Sequence, residues 1–291
     1  MSPLELVKLP ALMQRTSGRA EITIGLIDGP VVINHPDLMS KNIHEILGSQ
    51  PGSCTQASSA ACQHGTFVAA ILSARRGSPA PAICPNCTLL VCPIFTEATP
   101  GNGQMPSATP EGLATAIVVS VKAGARVLNL SVALVQPSSK GEQELEEALH
   151  YAARRNVILV AAAGNQGTVA STIITRHPCV IPVAACDLQG RPISYSNLGS
   201  SIGRRGLSAP GDAVTSLGSE GRSHTWGGTS VAAPFVTGTI ALLWSEFPRA
   251  TAAEIQNAVT QTSRLRRTSV VPPLLDAWSA YRMMLRTHVR H

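Results

Sequence analysis

Continuous apolar runs alternate with stretches of helical periodicity along most of the chain. EITIGLI (21–27), TLLVCPI (88–94), ARVLNLS (125–131), NVILVAA (156–162) and CVIPVAA (179–185) are short, rich in Val, Ile and Leu, and apolar at successive positions. Successive rather than alternating apolar positions predict strands covered on both faces of a sheet. Helix signals fall between them. Thr109-Pro110 offers an N-cap followed by proline at the first helical position, and Gly124 is placed to end that helix. Residues 142–155, EQELEEALHYAARR, put acids in the early turns and arginines in the last, matching the helix dipole. Thr251 and Glu254 spell a capping box that opens another helix. This alternation predicts an α/β fold with a mainly parallel sheet and right-handed crossovers.

The ends fit the same body. Residues 272–285, PPLLDAWSAYRMML, place Leu274, Leu275, Trp278, Tyr281 and Leu285 on one helical face, which predicts a docked final helix rather than a membrane-surface anchor. Segments 48–62 and 97–109 read as loops, too short for interdomain linkers. The expectation is one domain over 1–291, with a helical N-terminal extension (1–20), a core (21–263) and a basic C-terminal segment (264–291).

Composition sharpens the picture in three places. Hydrophobic residues make up 44% of the chain but aromatics only 3%, so the core must be built from Ala, Val, Leu and Ile. No apolar run reaches the ~18 residues that span a bilayer. The N-terminus lacks the basic start and continuous apolar stretch of a secretory signal, so a cytoplasmic protein with no membrane partner is expected.

The net charge of +6 first suggests nucleic acid. Residues 264–291, however, hold six arginines against the single acid Asp276 and so carry +5 of it. No aromatics are interleaved there in a strand pattern that would stack bases, so a solvated basic edge is expected and no nucleic-acid partner. Seven cysteines are an odd number, leaving at least one unpaired within the chain. Cys84-Pro-Asn-Cys87 has no second C-x-x-C or His pair at zinc spacing, and it precedes a strand rather than opening a helix as redox motifs do. Buried thiols or one or two structural disulfides are both compatible with the spacing.

Four residues carry candidate chemistry. Asp28 ends the run IGLID just before Gly29-Pro30, where the carboxyl end of a buried parallel strand meets the crevice in which α/β proteins place their sites. His64, in QHGTFVAAIL (63–72), opens a helix-like segment whose Gly65 and Thr66 permit close backbone approach. Ser230 follows Gly227-Gly228-Thr229 at the start of the apolar segment VAAPFVTGTIALLW (231–244), within reach of the positive end of a helix dipole. Asn165, in VILVAAAGNQG (157–167), stands just after a buried strand, placed to donate to an oxyanion together with the Ser230 backbone N–H. Taken singly, these residues suit a turn-forming Asp, a structural His, an N-cap Ser and a turn Asn. Together they supply a nucleophile, a base, an orienting carboxylate and an oxyanion donor.

Their blocks IGLIDGP with NHPDL, HGTFVAAIL, NLS, VAAAGNQG and GTSVAAPFVTG resemble the subtilases, serine proteases whose triad runs in the chain order Asp, His, Ser. The resemblance covers about residues 20–263. It implies a three-layer fold with a seven-stranded parallel sheet flanked by helices, and hydrolysis through an acyl-enzyme. Asp28-Gly-Pro, Gln63-His-Gly-Thr and the stretch from Pro85-Asn-Cys to Pro93-Ile-Phe are most similar to the subtilisin-like proteases that mature cyanobactins. The resemblance implies a peptide or protein substrate, in that group a ribosomally made precursor peptide whose leader is removed. Macrocyclases of that group carry a helical insertion between Asp and His. Only 35 residues separate Asp28 from His64 here, with no strong helical pattern, which favours hydrolysis over transpeptidation.

By the same resemblance Ser131, Val132, Ala133, Ala162 and Gly164 should line the substrate. The family usually has glycines where this chain has Val132-Ala133-Leu134, so an altered primary pocket is expected. Phe67 replaces a second histidine, and Val231 follows the nucleophile where methionine is frequent. The stretch 73–83, SARRGSPAPAI, lacks acid or amide ligands for the family's strong calcium site, so no metal or other cofactor is expected. A pseudoprotease that binds peptide without cutting it is the reading from a different class, and the intact triad argues against it. The sequence carries no signal of oligomeric state.

Overall fold

The computed structural model describes residues 1–46, 54–95, 97, 108–132, 141–261 and 269–288. Two short helices, α1 (Pro3–Leu6) and α2 (Leu9–Arg15), precede the first strand, β1 (Thr23–Asp28). A 3-10 turn (Ser40–Asn42) leads into β2 (Ile43–Glu45), followed by α3 (Ala60–Ser73) and β3 (Thr88–Pro93). The middle of the chain alternates α4 (Pro110–Lys122), β4 (Val127–Leu130), α5 (Glu142–Arg154), β5 (Ile158–Ala162), α6 (Ile173–Arg176) and β6 (Val180–Cys186). Then come α7 (Ser200–Arg205), β7 (Leu207–Pro210) and a hairpin of β8 (Val214–Leu217) and β9 (Ser223–Trp226). Three helices close the chain: α8 (Thr229–Glu246), α9 (Ala252–Thr260) and α10 (Ala277–His288).

The five strands expected from apolar runs are all present, each within two residues of its expected start. With β2 and β7 they form one seven-stranded sheet in the order β2-β3-β1-β4-β5-β6-β7, and every pairing in it is parallel. Its strands other than β2 are buried at successive positions because helices cover both faces. Ile24, Leu26, Val127, Ile158 and Val160 face one core, shared with α3 and α8. Leu128, Leu130, Leu159 and Ala161 face the other, shared with α4 and α5. Three layers result. A buried Val, Leu or Ile side chain contributes ~1.5–3 kcal/mol relative to leaving it exposed, so these two interfaces supply most of the driving force.

Local signals set the helix ends as expected. Thr109 caps α4 by accepting from the Gly112 N–H, and Thr251 and Glu254 make both bonds of their capping box. Two boundaries differ from the expectation. Helix α3 begins at Ala60, so residues 60–62 are helix rather than loop and His64 lies one turn inside, not at the opening. The Ser59 side chain makes that earlier start possible by accepting from the Cys62 N–H. At the other end, Leu274 and Leu275 precede α10 instead of sharing its face. Pro272-Pro273 favour extended backbone, and the segment runs along β7, with Ser208 donating to Pro273 and Leu275 donating to Ser208. The docked face of α10 is Ala277, Ala280, Tyr281 and Met284. Val7, Leu9 and Leu12 near the N-terminus share that core.

No helix among the described residues is long and apolar enough to cross a membrane. Arg264, Arg266, Arg267 and Arg290 of the basic segment lie outside the described residues.

Candidate active site

Strand order places the site. From β1 the chain moves to β3 on one side of it and later to β4 on the other, so the order reverses at β1. Helices diverge at such a point and open a crevice at the strands' carboxyl ends. Asp28 is the last residue of β1 and is fully buried there. Its Oδ1 accepts the Gly29 N–H at 2.6 Å.

Helix α3 leans directly on this turn. A Cβ on Gly65 would lie 2.4 Å from the Gly29 carbonyl oxygen and 2.5 Å from that of Pro30, and one on Gly29 would lie 2.0 Å from the Ala61 oxygen. Glycine at both positions is therefore a packing requirement. Thr66 fixes the same contact by accepting the Val32 N–H. This close approach brings His64 to Asp28: the Nδ1–H donates to Oδ1 at 2.6 Å.

Helix α8 delivers the third group. It starts from Gly228, whose φ of +134° disfavours any side chain and which therefore offers none as a cap. The N-cap is thus Gly228, and Ser230 is the second helical residue. The Ser230 hydroxyl instead donates to His64 Nε2 at 2.8 Å. Pro234 sits inside the helix, where its missing N–H would have bonded to the Ser230 carbonyl four residues back. Asp28, His64 and Ser230 form one hydrogen-bonded line, with Ser230 8% and His64 9% exposed.

Electrostatics suit this line to proton transfer. Burial of the His64 ring favours the neutral form, but the charge and hydrogen bond of Asp28 outweigh it and raise the His64 pKa above its ordinary value. The result is a base stronger than a free imidazole, held in the tautomer that leaves Nε2 open to accept from Ser230.

Asn165 lies across from the nucleophile on the exposed turn after β5. Its Oδ1 accepts from both the Thr229 N–H, at 2.9 Å, and the Thr229 hydroxyl, at 3.0 Å. The carbonyl side of the amide is thereby occupied, and Nδ2 is the end left to donate. A Cβ on Gly228 would come 3.2 Å from that Nδ2. Ser131 is buried beyond the end of β4, where its hydroxyl accepts from Asn129 Nδ2, while Asn129 Oδ1 accepts from Thr237 of α8. Val132 and Ala162 are buried at the ends of neighbouring strands. The Gly164 N–H is donated to Thr229 Oγ1, and its carbonyl accepts from the Asn197 N–H. Ala133 and Leu134 lie outside the described residues.

Two contributors are not foreseen by the sequence reading. Thr229 ties the Asn165 turn to the start of α8 through three hydrogen bonds, and its only signal in the sequence is its position beside Ser230. Trp226, at the end of β9, stacks on His64 at a ring separation of 6.1 Å and on Phe67 at 4.9 Å. The aromatic at position 67, a departure from the family pattern, thus backs the ring that backs the base.

Among the described cysteines, Cys54 and Cys62 form a disulfide and the other five are free. Burial pushes the Cys92 thiol up to about 11 and that of Cys186 up to about 12, so neither is a nucleophile at neutral pH.

Comparison with known proteins agrees with this geometry. A thermostable alkaline protease of Halalkalibacterium halodurans is 29% identical over 233 residues, covering 80% of this chain and 59% of the relative. Subtilisin NAT of Bacillus subtilis subsp. natto is 26% identical over 262 residues, covering 88% of this chain and 64% of the relative. The chain therefore spans about three fifths of the length of these relatives. Among solved structures, a serine-to-alanine mutant of the protease domain of PatA superposes with a TM-score of 0.83 at 29% identity, covering 93% of this chain and 97% of that one. The prenylagaramide maturation protease PagA gives 0.80 at 27% identity, covering 94% and 98%. The PatG macrocyclase in complex with peptide gives 0.83 at 20% identity, a likeness of fold, covering 98% of both chains. The subtilase family model matches residues 19–277, a span that contains Asp28, His64, Asn165 and Ser230, and the chain belongs to the subtilase family.

Proposed function

We propose that this chain is a serine endopeptidase that hydrolyses peptide bonds through an acyl-enzyme on Ser230. The observation that carries the reading is the hydrogen-bonded line from Asp28 through His64 to Ser230. Ser230 Oγ attacks the scissile carbonyl while its proton passes to His64 Nε2. Asp28 holds the imidazole in place and stabilises the imidazolium. The carbon–nitrogen bond then breaks as His64 returns the proton to the departing amine, and water hydrolyses the ester by the same route in reverse. Asn165 Nδ2 and the Ser230 N–H hold the oxyanion.

Ser131, Val132, Ala133, Ala162 and Gly164 form the substrate channel in this reading. The bonds already made by Gly164 leave it a wall, so an extended peptide pairs along the Ser131–Ala133 side. The chain works as one domain, a reading supported by the core cluster that joins Val7 and Leu9 to Tyr281 and Met284. We assign it to the cytoplasm, as read from the sequence.

The substrate we propose is a ribosomally made precursor peptide, cut to release its leader. Support comes from PagA, which its structure names a prenylagaramide maturation protease, and from PatA, named a patellamide maturation protease. Macrocyclisation is the second reading, favoured by the fold shared with the PatG macrocyclase. Against it, the described residues between Asp28 and the start of α3 contain only a 3-10 turn and β2. Mass spectrometry of products from a cyanobactin-type precursor separates the two. A leader and a linear core whose masses sum to that of the precursor plus one water are expected, and neither should form with Ser230→Ala. A cyclic core lighter by one water than its linear form would assign the chain to the macrocyclases. Cleavage that survives Ser230→Ala would overturn the reading.

A further inference from the structure

The disulfide joining Cys54 to Cys62 lies at the first turn of α3, two residues before His64. A third group faces the same spot. The Glu97 carboxylate accepts from the Thr55 N–H at 2.9 Å, from the Gln56 N–H at 3.0 Å, and from the Thr55 hydroxyl, and the Ser59 hydroxyl lies at 3.5 Å. These bonds fix its orientation on the loop that carries Cys54. One carboxylate oxygen and the two Sγ atoms all lie within 4.8 Å of one another.

We propose that this trio is a redox-gated site for a thiophilic divalent cation of the zinc class. In the oxidised chain the disulfide closes the loop onto α3. A dithiol reductant supplies two electrons and two protons, becomes a disulfide itself, and leaves two thiols at Cys54 and Cys62. A cation entering there displaces both thiol protons to solvent and is held by two thiolates and the Glu97 carboxylate, with water completing a tetrahedral set. Hydrogen bonds to a ligating carboxylate are the outer support that such sites use.

Chemistry separates this trio from the other cysteine pair. Cys84 and Cys87 are buried, and their mutual hydrogen bond together with burial pushes the Cys84 thiol well above its ordinary value. Among the described residues no carboxylate or imidazole completes a cluster with them, the group formed by Cys54, Cys62 and Glu97 being the sole one of its kind. The loop therefore has two interchangeable cross-links: a covalent one where conditions oxidise, and a metal clip where they reduce. Because the clasp closes on the helix that carries the base, either form keeps His64's helix anchored.

Cobalt(II) titration of the full chain, reduced with a thiol-free phosphine, tests the site without any assay of proteolysis. The reduced wild type is expected to gain an ultraviolet thiolate-to-cobalt charge-transfer band that saturates at one equivalent, and the oxidised protein none. Cys54→Ser and Cys62→Ser, each checked for folding by circular dichroism, should lose the band. Glu97→Gln should keep thiolate absorption but shift the visible cobalt bands. Reduced wild type without a saturating band would overturn the proposal. So would a band that survives Cys54→Ser but disappears in Cys84→Ser, which places the ion at the other pair.

Discussion

Helices α3 and α8 bring the base and the nucleophile to the same crevice, yet their N-termini are built in opposite ways. Helix α3 is sealed: the Ser59 side chain caps it, the disulfide ties its first turn to the preceding loop, and glycines lock it against the turn after β1. Helix α8 is closed only in part: it starts from a glycine that has no side chain to cap it, Asn165 Oδ1 takes the Thr229 N–H, and Pro234 removes a bond from its first turns. The difference follows from what each end must do. His64 has to be held, and orphan N–H groups beside it would only cost stability. Ser230 has to meet a developing oxyanion, and an uncapped N–H at a helix N-terminus is the donor that such a charge requires.

Substitutions can break that contrast in order of effect. Asp28→Asn removes the charge that orients the held base and should lower kcat by on the order of 10⁴-fold, read in steady-state hydrolysis of a peptide ester or amide. Asn165→Ala removes the side-chain donor on the open side and should lower kcat by ~10²–10³-fold with little change in KM, a magnitude taken from subtilisin. Gly228→Ala strains a backbone at φ +134° and crowds Asn165 Nδ2, so it should lower both kcat and stability, the latter by about 1 kcal/mol or more. Ser59→Ala removes the seal of α3 and should cost ~1 kcal/mol in denaturant unfolding while leaving kcat nearly unchanged. A kcat loss in Ser59→Ala as large as that in Asn165→Ala would erase the distinction between the two ends.

The pH profile sharpens the same point. His64 must be neutral to accept the Ser230 proton, and Asp28 raises its pKa against the opposing effect of burial. Activity is therefore lost as pH falls through a value above the ordinary 6.5 of histidine. The acid limb of kcat/KM should lie above that value in the wild type and move down in Asp28→Asn. For stability the sign is reversed. The Asp28–His64 pair stabilises most with His64 protonated, below its unfolded pKa, and that contribution fades as pH rises through the raised folded value.

Strands β1 and β3 to β6 are legible in the sequence because parallel strands buried on both faces spell continuous apolar runs. Strands β2 (IHE) and β7 (LSAP) are not, being short and carrying polar residues or proline at the ends of the sheet. The hairpin of β8 and β9, half exposed and rich in Ser and Thr, makes no such run. Asp28, His64, Asn165 and Ser230 each sit in a local glycine-marked setting, so chain order brings them into view. Trp226 and Thr229 do not announce themselves, because what they touch is set by packing across more than sixty positions of sequence. Pairing of Cys54 with Cys62 is equally invisible, since seven cysteines leave many combinations and only the α3 boundary brings these two together.

The central claim is that Ser230 is a nucleophile activated by His64, and a fluorophosphonate probe addresses it without knowledge of the natural substrate. Wild type should be labelled covalently at Ser230, as located by peptide mass spectrometry, at a rate that falls with pH along the His64 titration. Ser230→Ala should take up no label, and His64→Ala should label far more slowly. Labelling that persists in Ser230→Ala, or a folded wild type that the probe does not modify, would contradict the account.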